Sequence, residues 1–442
     1  MEFAGRESEL NFLERYYAGQ GSCLVVVYGS RGVGKTRLLQ EFCRDKRNCY
    51  YLARACSDKE QRYQWGAELR ERNRRLSPCP GYEELLSASL EENRPDKQVL
   101  IIDEFHYMLK GNSLFFDRLA EFLESRPDAG AVMTVLCTSA SGWVENHLVG
   151  KIGSRAAAIG GFLKVRELPF GDILRLFPQY TTEQCIRGYA ALGGVPGYWM
   201  CFDPGLGVRE NIIRNIIAGE SRLHREPELY LEQELRETAV YNTILAAMAG
   251  GKVKLNDIYR HTGFSRAKIS VYLKNLMELD MVEKVYSYDT EGRANAQKGI
   301  YRITNTYVRF YFRYLFPNRS LLQLLAPEEF YEKKVAPSYE LYAEETYRRI
   351  CREQLGREYR IVGEWLGKTG TIDVIGSDGR GRVAAARCAY SRAMVYEDYE
   401  NLLAFMKKAK LSGSDIRLYC EKGFDERLAQ AEREGRVRLF SL

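Results

Sequence analysis

The sequence predicts an α/β fold built on a parallel sheet, and three observations carry that prediction. An apolar run, Cys23 to Tyr28, feeds a glycine-rich turn and then a helix-like run, Arg37 to Arg44. A second apolar run, Gln98 to Phe105, contains the adjacent carboxylates Asp103 and Glu104. Strand-like and helix-like stretches alternate from residue 1 to about 170, the pattern of parallel strands joined by helices.

Between the first strand and its helix stands Gly29-Ser30-Arg31-Gly32-Val33-Gly34-Lys35-Thr36, a complete G-x-x-x-x-G-K-[ST] loop. A strand that feeds such a turn and a helix N-terminus points several backbone N–H groups at one spot, where an anion is held. The implied ligand is a nucleoside triphosphate, and the implied fold class is a P-loop NTPase. Gly29, Gly32 and Gly34 are expected to let the backbone curl around phosphate, and Lys35 to bring a cation to the outer phosphates. The Thr36 hydroxyl is expected to ligate Mg²⁺. Ser30, Arg31, Val33 and the following Arg37 complete the expected binding set.

In the second run a carboxylate at a strand's C-terminal end can order the metal's water shell, and the next can activate the attacking water. Asp103 is therefore expected on the metal side and Glu104 as general base. A further strand candidate, Cys49 to Ala53, lies between these motifs. A third apolar run, Ala131 to Cys137, leads to Thr138, Ser139 and Ser141. A polar side chain there would sense the outer phosphate, or the strand simply ends in small turn residues.

The chain has 442 residues, too many for one core. Apolar content of 45% supports packed cores, and a net charge of +6 tolerates nucleic acid without requiring it. No stretch approaches the roughly 18 apolar residues of a membrane span, and the start, MEFAGRESEL, does not read as a secretory signal. The eleven cysteines show no C-x-x-C, and the four histidines are not spaced as ligands. These features predict a cytoplasmic protein with reduced, mostly buried thiols and no zinc.

From Pro169 the pattern turns helical, interrupted by the rigid turn Gly193-Gly194-Val195-Pro196. Helices are expected over Tyr241–Ala249 and Leu255–His261, and a third capped by Ser265 and running to about Leu279. On the third, Ile269, Tyr272, Leu273 and Leu276 form a core face, and Arg266, Ser270 and Lys274 another. Strands over Met281–Tyr288 and Gly299–Thr304, around a turn at Asp289-Thr290-Glu291-Gly292, complete a winged helix. Across 250–300 nine Lys/Arg stand against six Asp/Glu, a thin electrostatic footprint. Double-stranded DNA contact and a packing role are both open for this module. The aromatic run Thr306–Phe316 reads as a buried helix with snorkelling arginines. Beyond it come a helix at Tyr339–Leu355, short strands, a helix at Tyr396–Ala409 and a last strand at Ile416–Cys420.

Phe3-Ala4-Gly5-Arg6-Glu7-Ser8-Glu9-Leu10 before the phosphate loop, the IIDEF run and Gly193-Gly194-Val195-Pro196 together resemble archaeal and bacterial ATPases of the AAA+ and STAND (signal-transducing NTPase) classes. The resemblance spans nearly the whole chain. It implies an ATPase core over 1–168, a helical lid over 169–234, a winged helix over 235–318, and a C-terminal domain similar to PD-(D/E)xK restriction nucleases over 330–442. It places Phe3, Gly5 and Arg6 near the base of ATP and Pro196 on the adenine, and makes Arg155 the sensor of the γ-phosphate.

The nuclease motif needs an Asp, then a Glu and a Lys two residues apart, because two carboxylates must hold Mg²⁺ while a lysine orients water. Asp373 is present, but Arg387 and Ala389 stand where the acid and the lysine belong, and Arg348 where a helix carboxylate is expected. Glu344 and Glu345 lie one turn away. The implied protein is an ATP- and Mg²⁺-dependent switch with an inactive nuclease-like unit, or an ATP-regulated DNA-binding protein. A protein partner for the C-terminal unit is the other implied use.

Overall fold

The computed structural model describes residues 5–72, 75–91, 96–111, 114–126, 130–290, 299–379, 381–413 and 415–442. The chain divides into two compact units: Glu2–Glu167 with Glu278–Asp280, and Leu168–Met277 with Met281–Leu442.

The first unit is built on five strands: β1 (Cys23–Tyr28), β2 (Asn48–Leu52), β3 (Gln98–Asp103), β4 (Val132–Thr138) and β5 (Ile159–Lys164). They run in the order β2-β3-β4-β1-β5, every pair parallel. Strands covered on both faces read as unbroken apolar runs, as Leu24–Val27 and Val99–Ile102 do. Their period of two still sorts the side chains. Val25, Val27, Ile101 and Val135 pack with Leu38, Leu39 and Phe42 of the helix Lys35–Phe42. Leu24, Val26, Leu100, Ile102 and Leu136 pack on the other face with Trp65, Phe105 and Phe115.

Strand β5 gives no clear sequence signal, because Gly160 and Gly161 dilute its apolar character. Its glycines answer to the helix Glu7–Ala18. A Cβ on Gly161 would lie 2.5 Å from the Tyr16 hydroxyl oxygen, and that hydroxyl donates to the Gly160 carbonyl at 2.6 Å.

The second unit opens with helices Phe170–Leu176 and Thr182–Leu192, the latter started by a reciprocal Thr181/Gln184 capping box. Helices Thr238–Ala249, Leu255–Thr262 and Arg266–Glu278 follow, then the antiparallel pair β6 (Val282–Val285) and β7 (Ile300–Ile303). Three helices and a hairpin make the winged helix. Glu291 and Gly292 of the expected turn lie outside the described residues. On the third helix Ile269, Leu273 and Leu276 are buried. Tyr272, expected in that core, is instead only half-buried and donates its hydroxyl to Glu237. Its phenol keeps a polar end at the surface while the ring packs on Tyr241.

The aromatic run forms a helix over Thr306–Phe310, continued as a π-turn over Tyr311–Leu315. Arg313 is exposed. Arg309 does not snorkel outward. It is buried, donates to the Thr346 hydroxyl at 2.7 Å and pairs with Glu345, so the partner lies inside and the charge stays there.

A mixed sheet ends the unit: β8 (Ile361–Leu366), β9 (Thr371–Ser377), β10 (Val383–Ala389), β11 (Asp415–Cys420) and β12 (Arg438–Phe440). β8, β9 and β10 pair antiparallel, and β10, β11 and β12 parallel. Helices Ala336–Leu355, Tyr396–Lys408 and Glu426–Arg433 accompany it. β11 is not the last strand, as the sequence reading has it. The helix Glu426–Arg433, rich in Glu and Arg, and the three-residue β12 lack the apolar run on which that reading relies. All eleven cysteines are free thiols. No helix among the described residues is long and apolar enough to cross a membrane.

One backbone approach in the second unit is testable. Leu168 N–H donates to the Gly194 carbonyl at 2.7 Å, and a Cβ on Gly194 would lie 2.0 Å from the Leu168 carbonyl oxygen. Gly194→Ala is expected to lose about 1–3 kcal/mol of stability in denaturant titration. Gly219→Ala, where a Cβ meets nothing within 4 Å, is expected to stay within about 0.5 kcal/mol of the parent.

Candidate functional site

The carboxyl ends of parallel strands lie at one edge of a sheet, and the residues that follow β1, β3 and β4 gather there. After β1 the loop turns into the helix Lys35–Phe42, whose first N–H groups have no acceptor within the helix. Gly34 caps that helix at φ 95°, a left-handed conformation that favours glycine. Gly29 also meets a steric need within the sheet. A Cβ there would lie 2.1 Å from the Val165 carbonyl oxygen, so glycine lets the loop start against the chain leaving β5.

Lys35 is buried, and its ammonium donates to the loop carbonyls of Gly29 at 2.7 Å and Ser30 at 3.1 Å. The Thr36 hydroxyl donates to Asp103 Oδ2 at 3.3 Å. Tyr50, from β2, donates to the same oxygen at 2.7 Å, while the Glu104 N–H takes Oδ1 at 2.9 Å. A hydroxyl and a carboxylate side by side at a helix N-terminus are the oxygen ligands a hard divalent cation takes. Ser30, Val33 and the exposed Arg31 lie within the loop, and the exposed Arg37 follows it.

Glu104 follows β3 with φ 51°, strained for a residue with a Cβ. Its Oε2 accepts the Ser139 N–H at 3.0 Å, the Ser139 hydroxyl at 3.0 Å and the Thr138 hydroxyl at 3.3 Å. His106 Nδ1 lies 3.3 Å from that oxygen and 2.8 Å from Thr138 Oγ1. Burial by itself would raise the Glu104 carboxyl, but His106 and the Ser139 donors outweigh it and hold it down at about 2. These contacts all converge on Oε2, and Oε1 is the oxygen they leave for a water or substrate.

Tyr50 and His106 are site residues that sequence reasoning passes over. An aromatic in a strand and a histidine opening a helix carry no spacing signal. Ser139 is legible as a small polar residue after β4, and it meets the general-base candidate directly. Ser141 is buried away from these contacts at the start of a short helix.

Arg6 is buried, 5% exposed, and ties the N-terminal segment to the loop. It donates to the Val33 and Arg166 carbonyls, both at 2.7 Å, and pairs with Glu9. Gly5 precedes it at φ 74°, while Phe3 lies outside the described residues. Arg155 lies on the turn Gly153–Ala158, where its guanidinium meets Asp117 at 3.2 Å, Glu121 at 3.4 Å and Glu124 at 3.8 Å. Its ion pairs among the described residues are with the helix Leu114–Glu124 and not with the loop. Pro196 belongs to the second unit, at the first position of the helix Pro196–Trp199.

The chain is similar to several known proteins. Residues 3–198 match a family described as an ATPase domain predominantly from Archaea. Residues 242–284 match one described as bacterial regulatory protein, arsR family, and residues 311–401 one described as archaeal and bacterial proteins of unknown function. An uncharacterized protein of Methanocaldococcus jannaschii is 24% identical over 385 residues, 84% of each chain. An uncharacterized ATP-binding protein of the same organism is 42% identical over 45 residues, 10% of this chain and 76% of its own. A solved Walker-type ATPase of Pyrococcus abyssi shares the fold at 16% identity and a TM-score of 0.50, over 70% of this chain and 96% of that one. Residues 3–198 are thus similar to an ATPase domain found predominantly in Archaea and have a P-loop, parallel-sheet fold, followed by a winged helix and a C-terminal mixed-sheet unit.

Proposed function

We propose that the protein is an ATP-hydrolysing switch, in which turnover at the first unit alters how the winged helix and the C-terminal unit are presented. The observation that carries this reading is the Glu104 carboxylate, held ionised next to Asp103 by Ser139, Thr138 and His106. In this reading Lys35 leaves the Gly29 and Ser30 carbonyls for the outer phosphates, and the loop N–H groups hold the rest of the chain of phosphates. Thr36 and Asp103 would hold Mg²⁺, which supplies charge neutralisation at the transferring phosphoryl group. Glu104 Oε1 accepts a hydrogen bond from the attacking water and orients it, and a carboxyl near 2 acts more through orientation than through basicity. Gly5, Arg6 and Pro196 serve the adenine end. Arg155 senses the γ-phosphate by exchanging its three carboxylate partners for phosphate.

The C-terminal sheet, with Asp373 on β9 and Arg387 on β10, supports a nuclease-like fold without nuclease chemistry. Asp373 lies 3.4 Å from Arg348 and 3.5 Å from Arg387, cations where a metal site needs acids. Glu344 accepts the Tyr390 and Ser391 N–H groups, and Glu345 pairs with Arg302 and Arg309, so both carboxylates are engaged elsewhere.

A second reading, an ATP-regulated DNA-binding protein, is favoured by the match of 242–284 to a regulatory family and by the exposed face Arg266, Ser270 and Lys274. It is compatible with hydrolysis and differs in what hydrolysis controls.

Lys35→Ala is expected to abolish ATP binding in calorimetry. Glu104→Gln is expected to keep binding and lose about 10²-fold or more in turnover, and Arg155→Ala to lower turnover at unchanged affinity. Retained binding in the first variant, or parental turnover in the second, removes the assignment.

The pH dependence has a definite sign. A depressed Glu104 carboxyl contributes stability that is present above the ordinary carboxylate range, near 4.5, and lost as pH falls toward about 2. Turnover is therefore expected to show no acid limb from Glu104 above about pH 3. Ser139→Ala removes the hydroxyl donor, keeps the backbone N–H, and is expected to move that limb upward in a pH–rate profile. An unmoved limb would show that the Ser139 hydroxyl does not set the charge of Glu104.

If the winged helix grips duplex DNA, binding weakens steeply with added salt. Arg266→Ala with Lys274→Ala then lowers both the affinity and the salt slope, the slope by about one unit for each phosphate these side chains neutralise. A flat salt response removes the second reading.

A further inference from the structure

The second unit contains a cavity of about 770 Å³ bordered by the winged-helix strand β7, the aromatic helix, the helix Ala336–Leu355 and the end of β10. Its volume lies in the range of small-molecule sites. Six arginines line it, Arg302, Arg309, Arg313, Arg348, Arg387 and Arg392, against the two glutamates Glu344 and Glu345.

The pairing within this wall is uneven. Arg302 is committed to Glu364 at 2.8 Å, Arg309 to Glu345, and Arg392 makes two bonds to Asp398 at 2.8 and 2.6 Å. Glu344 spends one oxygen on two backbone N–H groups and the Ser391 hydroxyl. Arg348 and Arg387 both meet Asp373, at 3.4 and 3.5 Å, the long end of ion-pair contact, and Glu344 and Glu345 act on Arg348 from further off. Asp373 Oδ2 is already bonded to the Cys388 N–H at 3.0 Å. Arg348 Nε is shut off from solvent, and the Asp373 Oδ1 it faces at 3.4 Å does not give it a hydrogen bond, which leaves a costly buried donor. Two guanidiniums therefore converge on the cavity with one carboxylate in ion-pair reach of both. Such a pair fits the tetrahedral oxygens of a phosphate group. Tyr301 and Tyr342, also on the wall, offer aromatic surface to the remainder of a ligand.

We propose that this cavity is a metal-independent binding site for a small phosphate-bearing ligand of nucleotide size, its phosphate held by Arg348 and Arg387. The site is separate from the phosphate loop, which lies in the other unit. Asp373 becomes the resident anion with which the ligand's phosphate competes.

The test uses the full-length chain carrying Lys35→Ala, so that the phosphate loop does not contribute. Inorganic pyrophosphate and adenosine 5′-monophosphate are titrated by calorimetry in EDTA, beside a 5′-phosphorylated single strand. One equivalent of pyrophosphate or of the mononucleotide is expected to bind, and Arg348→Gln with Arg387→Gln to weaken that binding by about tenfold or more. Asp373→Asn, which removes the competing charge, is expected to tighten it severalfold, a change that damage to the fold would not produce. No uptake of either small probe at millimolar concentration overturns the proposal, as does uptake unaffected by both sets of variants. Binding of the strand with both small probes refused overturns the small-ligand assignment. None of these outcomes depends on whether the phosphate loop hydrolyses ATP.

Discussion

The parallel alignment of β1, β4 and β3 is the constraint on which the nucleotide site depends. Because all three strands point the same way, the segments leaving them arrive at one edge of the sheet. That edge brings Lys35 and Thr36, Asp103 and Glu104, and Thr138 and Ser139 within hydrogen-bond reach, although they lie some 100 residues apart. The register is held by apolar side chains on both faces, so the chemistry at the edge rests on burial further down the strands. Gly29 sits at the junction of both demands, where no Cβ fits beside the Val165 carbonyl.

Within this site the two acids have different surroundings. Asp103 is oriented by Tyr50, Thr36 and a backbone N–H, with both oxygens engaged. Glu104 is gripped through Oε2, from a strained backbone position. Strain of this kind persists only where neighbours over-determine the conformation, and Ser139 with its N–H and hydroxyl does so here. The C-terminal unit shows the opposite treatment of an acid. Asp373 is met by two cations and a backbone N–H, so its environment is that of an anion among guanidiniums rather than of a metal ligand.

Several elements are legible because their signals are local and contiguous. β1 and β3 are unbroken apolar runs, the glycine loop repeats a fixed spacing, and the third winged-helix segment shows buried Ile269, Leu273 and Leu276 at helical spacing. Others leave little trace. β5 carries two glycines that make room for Tyr16, and the final helix and β12 are short and charged. Arg309 reads as a surface-seeking charge because its partners Thr346 and Glu345 lie on a helix some 36 residues on.

By itself the sequence determined the strand, turn and helix of the phosphate loop and the acidic pair after β3, since each depends on neighbours in the chain and on backbone conformations that glycine alone adopts easily. Tertiary structure alone decided that Tyr50 orients Asp103, that Ser139 and His106 hold Glu104 ionised, and that Arg348 and Arg387 converge on Asp373. Those are contacts between distant segments, set by sheet order and packing, and the identity of a residue says nothing of what lies across from it.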